Sequence, residues 1–536
     1  MKITKYLFMA LSVLALSSCL DTEPLGSDVT ADQKKQAVEQ NPERLSAAVS
    51  AITANFYQYS AIWDESDNQQ NDFGYPAIMM ILDSRSADMV CHNTGYNWFR
   101  DALAYTDVTN TSDDTREIWS TLYNQIYTCN AVASSVDSAA TDATLQYDLG
   151  QALAIRAFDY FMLAQLYQRT YSQVDPSAVG GVPIITEKNS NEVASAGCSR
   201  GTLEQTYNQI LSDLNRAITL LDNSENNGVK RPDKRYVNSA VAHGIRARVY
   251  LVMNRWNDAA ADADYAIQHG NATPKTIAEA SVPSFNSMEE NDWLWGIKVA
   301  ETDRTVTTGI CNFPSMMGSL SYGYVSGTGG VVSKRINLKL YNDIPSSDAR
   351  KNWFLDGDGK GATLTEAQQD YVTSNGILPY SQVKYAPYNG QVGTSTNASD
   401  IPLMRVEEMY LIKAEAQAMG GNPSAGAATL TSFVRNYRNP SYNLTSTSAS
   451  DVQSAVLLQR RIELWGEGFA YLDNLRLNTG IDRRGAGFET NDVFNIPATD
   501  PILIFQIPQA ETEYNKLITA SDQNPAGTIP TAVPDE

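Results

Sequence analysis

"RARVYLVMNRWNDAAADADYAI" occupies residues 246–267, and its spacing predicts two helices packed closely together. Ala247 and Tyr250 lie on one face before a break at Asn254; Trp256, Ala259, Ala263 and Ala266 follow at steps of three and four. Such steps place side chains on one helical face. Small residues there let two backbones approach, and the aromatic rings fill the wedge left between them. The stretch reads as a helical hairpin.

A second copy runs through "LMRVEEMYLIKAEAQAMGGNPSAGAATLTSFVRNYR" (403–438), with Gly420-Gly421 and Asn422-Pro423 as the break. Both follow the tetratricopeptide pattern, and weaker copies cover 149–221 and 451–477. The copies are not tandem. Between 271 and 400 the chain is rich in Gly, Ser, Thr, Asn and Tyr and has little helical period. The expectation is a mainly α protein, a tetratricopeptide-like scaffold carrying a large loop-rich insertion. Residues 149–167 are apolar almost all round, which predicts a helix buried between others. Asp114 with Glu117, and Thr202 with Gln205, have the spacing of capping boxes that open further helices. The first of these helices would bury Ile118, Leu122, Ile126, Cys129 and Ala133.

The N-terminus reads as a secretory signal over residues 1–18. Lys2 and Lys5 precede an apolar run from Tyr6 to Leu16, too short to span a bilayer. Leu16-Ser17-Ser18-Cys19 then resembles a bacterial lipobox, so Cys19 is the expected lipidation site and new N-terminus. Asp21 and Glu23 resemble a surface-export signal of Bacteroidetes lipoproteins, which places the protein on the outer membrane, facing outward.

The formal charge is −21, and removal of the signal leaves 38 basic against 61 acidic residues. Such a surface repels phosphate backbones, so nucleic acid is excluded as a partner. Cys91, Cys129, Cys198 and Cys311 are far apart with no C-x-x-C, leaving either two disulfides or buried free thiols. His92, His243 and His269 form no metal pair, and His243 among Ala240, Gly244 and Ala247 reads as a packing residue. "SGTGGVVS" (326–333) lacks the third glycine of a dinucleotide loop. "DGDGKG" (356–361) is half an EF-hand, with Lys360 at the fifth ligand position and Ala367 at the twelfth. No G-x-S-x-G is present. Neither catalytic residues, a bound metal nor a cofactor is expected.

Taken in order, several segments resemble the SusD/RagB family of nutrient-binding outer-membrane lipoproteins. They are "SSCLDTEP" (17–24), "IRAFDYFMLAQLYQ" (155–168), "GGVPII" (180–185), "RVEEMYLIKAEA" (405–416), "LLQRRIELWGEGFAYLDNLR" (457–476) and "ILIFQIPQAETEYN" (502–515). The resemblance implies a SusD-like fold of about four tetratricopeptide-like helix pairs. It divides the chain into an N-terminal helical region (19–270), the insertion (271–400) and a C-terminal helical region (401–536). It also implies a lid on a SusC-like TonB-dependent transporter, opened and closed over a captured glycan or peptide. In the WGEG motif, Glu463 and Glu467 are expected to cap helices or pair with Arg460, Arg461 or Arg476. A catalytic carboxylate pair is the less favoured reading.

The residues themselves suggest how a neutral glycan would be held. It offers hydroxyls and C–H ring faces, which flat aromatic side chains and a few polar groups suit. These should lie on loops, since helix-face aromatics are used in packing. Two stretches read as loops: 63–100, with Trp63, Asp67, Asp72, Tyr75, Arg85, Tyr96 and Trp98, and 293–324, with Trp293, Trp295, Tyr322 and Tyr324. Within the second, Trp293 and Trp295 in "DWLWGIK" read as strand. The expected ligand-binding residues are Trp98, Tyr322 and Tyr324, with Asp67 and Arg85 as polar partners and Tyr96 and Tyr75 beside them.

Overall fold

The computed structural model describes residues 31–63, 69–446 and 448–535. The signal, Cys19 and Asp67 lie outside them. The scaffold is built from α1 (Ala31–Gln40), α2 (Glu43–Ala54), α3 (Tyr75–Arg85), α4 (Asp113–Ser135), α5 (Ala143–Leu166), α6 (Leu203–Asn226), α7 (Ser239–Val252), α8 (Trp256–His269), α9 (Val406–Met419), α10 (Pro423–Tyr437), α11 (Ala449–Glu463) and α12 (Ala470–Arg476). From α4 to α9 each helix packs on the next, and α9 also packs on α10 and α11. The fold is mainly helical. The hairpins read at 246–267 and 403–438 are α7–α8 and α9–α10; the weaker copies are α5–α6 and α11–α12. No described helix is long and apolar enough to cross a membrane.

The sequence logic is visible in the packing. Ala247, Ala259, Ala263 and Ala266 are fully buried where α7 meets α8, and Asn254 turns the chain between them in the left-handed region. Every residue from Leu149 to Tyr167 is buried, because α4 and α6 cover α5 on both sides. The Thr202 hydroxyl accepts from Gln205 N at 3.1 Å and the Gln205 side chain accepts from Thr202 N at 2.8 Å, so that capping box is complete. Leu203, Tyr207, Ile210, Leu214 and Leu221 of α6 are buried, each fully buried side chain contributing about 1.5–3 kcal/mol. The α4 start differs from expectation. Its N-cap is Ser112, without a side-chain capping bond, while Asp114 and Glu117 turn inward and are buried.

Eight short strands among the described residues form four antiparallel pairs: β1 (Met89–Val90) with β5 (Arg335–Ile336), β2 (Gly180–Pro183) with β3 (Arg200–Thr202), β4 (Trp293–Ile297) with β6 (Ile401–Arg405), and β7 (Ile481–Asp482) with β8 (Asn495–Ile496). The β4–β6 pair pins the long excursion between them at its neck. Trp293 and Trp295 lie on this strand and are buried. Beyond the neck, residues 298–400 fold into short helices, turns and the two-residue strand β5.

Buried charge ties that excursion to the scaffold. Arg405, ending β6, donates to Glu463 Oε1 at 2.9 Å and to both oxygens of Glu467 at 2.8 and 3.0 Å. Glu463 also accepts from Arg438 at 2.7 Å and from Arg350 at 3.2 Å, and Glu467 from Lys384 at 2.6 Å. Burial opposes ionisation of Glu463, but Arg438, Arg405 and Arg350 outweigh it and hold its pKa well below the usual carboxylate range. The expected partners are engaged elsewhere: Arg460 with Asp473, Arg461 with Asp88, and Arg476 with both Glu415 and Asp473. Both motif glutamates are therefore committed to structure. Gly468 beside them has φ 80°, and a Cβ there would lie 3.0 Å from Met79 Cα of α3, so any side chain at the junction is strained.

Candidate functional site

Two segments distant in sequence, 92–98 and 318–328, meet at the surface. Backbone bonds from Asn97 N to Thr94 O (3.0 Å) and from Arg100 N to Asn97 O (3.1 Å) stiffen the first. Trp98 is half-buried against the core while Tyr96 stands 64% exposed. In the second, Tyr324 N donates to Ser315 Oγ at 3.0 Å and Tyr322 N to Thr394 O at 3.1 Å. Asn397 Nδ2 donates to the Tyr322 carbonyl at 3.0 Å. Gly323 lies so close to Ser315 that a Cβ would fall 2.1 Å from its hydroxyl. The turn is held firmly, and Tyr322 on its outer side is 50% exposed.

Tyr324 joins the two segments. Its hydroxyl donates to the Gln70 side-chain oxygen, and burial raises its pKa while a polar contact with Trp98 works the other way. It is a neutral phenol at physiological pH. Tyr371 donates to Ser321 O at 3.1 Å and supports the same turn. Below, burial pushes the Tyr59 hydroxyl up to about 12, next to Cys311, whose thiol burial also raises. The surface thus offers flat rings with hydroxyl and amide groups around them. That chemistry can stack on C–H faces and hydrogen-bond to hydroxyls.

Trp98, Tyr322, Tyr324 and Tyr96 are brought together. Arg85 and Tyr75 are not with them, because 75–85 is not loop but helix α3, buried along its whole length. The run after Gly74 is apolar all round with Pro76 in its first turn, the pattern of an interior helix. Arg85 is 1% exposed, ion-paired with Asp107, bonded to Ile502 O at 2.5 Å and stacked on Tyr105 and Phe505. Tyr75 packs edge-on against Phe56 and Phe158. Neither can reach a surface ligand. Asp72 is buried and accepts from Ile62 N and Trp63 N at 2.8 and 3.0 Å, which fixes the adjoining loop. Trp63 stacks under Arg116 at 4.0 Å.

Gln70, Tyr371 and Asn397 each reach the site from a separate segment, and no local spacing in the sequence marks them. Cys91, Cys129, Cys198 and Cys311 are all free thiols. His243 bonds Asp262 at 2.6 Å and stacks on Tyr265. Asp356 uses its carboxylate on the backbone N–H groups of Asp358 and Lys360, at 2.9 and 2.8 Å, an acidic turn closed on itself.

Two family models match the chain: one described as SusD-like, "starch-binding associating with outer membrane", over 62–251, and one described as the SusD family over 340–526. Together they cover more than half of it. A SusD-like protein from Bacteroides ovatus is 24% identical over 263 residues, 48% of this chain but only 40% of that relative's length. Among solved structures, a SusD-like carbohydrate binding protein from Bacteroides vulgatus superposes with a TM-score of 0.71 at 22% identity, over 90% of this chain and 98% of that one. The surface glycan-binding protein A of Bacteroides thetaiotaomicron, in complex with laminarihexaose, does so at 0.62 and 15% identity, over 90% and 99%.

Proposed function

The chain belongs to the SusD/RagB family, and on that premise we propose that it is a cell-surface lipoprotein that binds a neutral glycan and delivers it to a SusC-like TonB-dependent transporter. The observation that carries the reading is the convergence of Trp98 and Tyr324, with Tyr322 and Tyr96 exposed beside them, on a turn held by Ser315, Thr394 and Asn397. Each stacked ring contributes about 1–3 kcal/mol of apolar burial. Two or three such contacts, less the cost of ordering the sugar, give dissociation constants in the range of roughly millimolar to micromolar. Weak capture suits a protein that must release its ligand to a partner.

Binding without catalysis fits the motif glutamates, whose oxygens are occupied by Arg350, Arg405, Arg438 and Lys384. In this reading acylated Cys19 anchors the body to the outer membrane, and the stacked helices offer the extended surface on which the transporter docks. The glucan-bound relative makes laminarihexaose the first ligand to try. The test is extraction in mild detergent followed by affinity capture of this protein. A TonB-dependent barrel should co-purify, and glycan uptake should fail in a deletion strain. Recovery as a free monomer, with uptake intact in the deletion strain, contradicts the delivery role.

A further inference from the structure

Beside the aromatic face, two surface hollows of about 370 Å³ and about 450 Å³ meet at Lys298. We propose that they form one groove that binds additional units of the same neutral glycan, a second subsite separate from Trp98 and Tyr324. The inference rests on the glycan reading above. Each hollow lies in the size range of small-molecule sites, roughly 300–1,000 Å³.

The groove is built from rigid parts. Lys298 leaves the end of β4 and Asp400 enters β6, next to the paired Ile297 and Ile401. Asp400 is held by Val299 N at 2.8 Å and Met288 N at 2.9 Å, with Lys298 Nζ 3.5 Å away. An aromatic ring lines each hollow. Tyr59 has the Arg304 guanidinium 5.8 Å over its face, and Tyr388 donates its hydroxyl to Glu301 at 2.9 Å. Asn286 ties the rim to Pro387 O at 2.8 Å, and Asn389 turns it with φ 52°.

Charge selects the ligand class. Arg235 is matched by Asp233 at 2.8 Å and Lys298 by Asp400, and the Asp303 carboxylate also lines the groove. A polyanion would meet the Asp303 and Asp400 carboxylates there, in a chain of net charge −21. Sugar hydroxyls both donate and accept, so alternating ammonium, amide and carboxylate groups suit them.

The groove is also within reach of the first site. Asn397, bonded to the Tyr322 carbonyl at 3.0 Å, is followed by Ala398 and Asp400 of the groove lining. That separation is on the order of 15 Å at most for so short a piece of chain. A polymer of several sugars can occupy both sites at once, and its second contact is then intramolecular.

Isothermal titration of β-glucan, xylan and mannan hexasaccharides and their parent polysaccharides tests this. It compares the wild-type protein, Lys298→Ala/Tyr388→Ala and Trp98→Ala/Tyr322→Ala/Tyr324→Ala. The groove variant should lose about tenfold or more in affinity for the polysaccharide that binds, while the matching hexasaccharide changes by less than about threefold. Polysaccharide affinity unchanged in a folded groove variant overturns the subsite. If the double variant unfolds, Lys298→Ala alone, at a half-exposed side chain, carries the same comparison. Hexasaccharide binding that survives the triple variant overturns the aromatic-face reading instead. No binding of any glycan to the wild-type protein overturns both.

Discussion

Arg405 and Glu463 meet through a 2.9 Å hydrogen bond with neither side chain open to solvent. One ends the strand that closes the neck of the 298–400 excursion; the other ends α11. Arg350 reaches the same carboxylate from within the excursion. The segment bearing Tyr322 and Tyr324 is thus fixed to the helices by ion pairs whose desolvation is offset only while every partner is present.

Glu463→Ala should therefore destabilise the protein by about 3–5 kcal/mol, because three buried guanidinium groups lose a shared counter-charge. Glu463→Gln, which keeps the shape, should cost less. Denaturant unfolding of the three proteins checks this; a loss under about 1 kcal/mol for the alanine variant contradicts it.

Gly468→Ala should cost about 1–3 kcal/mol, since φ 80° and the 3.0 Å approach to Met79 Cα both resist a side chain. A thermal midpoint equal to that of the wild type would show that the junction relaxes.

Asp83 gives a pH signature. Burial raises its pKa to about 8, although Gly468 N donates to it at 2.9 Å. Between the ordinary aspartate value and about 8, the folded chain keeps this proton and the unfolded chain has lost it. Stability therefore falls as pH rises through that window, by as much as about 1.4 kcal/mol per pH unit, and the loss is absent below both values. Asp83→Asn keeps an acceptor for Gly468 and removes the proton. Its stability relative to wild type should improve steadily from pH 5 to pH 8 in denaturant titrations. A difference independent of pH refutes the buried neutral acid.

Cys19→Ala should release the protein from outer-membrane fractions, because acylation there is the proposed attachment. Quantitative sedimentation of the variant with membranes contradicts the anchor.

The helical scaffold was legible because its signals are local. The alanine spacing of 247–266, the capping box at Thr202 and the all-round apolar run at 149–167 each act within one or two helices. Signals that depend on distant partners were not. The spacing of Glu463 and Glu467 suggests neighbouring arginines, whereas the structure gives them Arg350, Lys384, Arg405 and Arg438. Helix α3 has the sequence character of a loop because aromatic and charged residues flank an apolar core too short to show a period. Arg85 then looked available while it was paired with Asp107. The four aromatic residues that lie close together could be named from composition and loop context, whereas the approach of Gln70 and Asn397 to them depends on the fold.

The most direct measurement is the affinity of a neutral oligosaccharide for the wild-type protein and for Trp98→Ala/Tyr322→Ala/Tyr324→Ala, both shown folded by circular dichroism. Half-buried Trp98 and Tyr324 and half-exposed Tyr322 are the proposed stacking surface. Loss of two or three ring contacts at about 1–3 kcal/mol each predicts a fall of at least about thirtyfold, to undetectable binding in affinity gels. A folded triple variant that binds as tightly as the wild type contradicts the account.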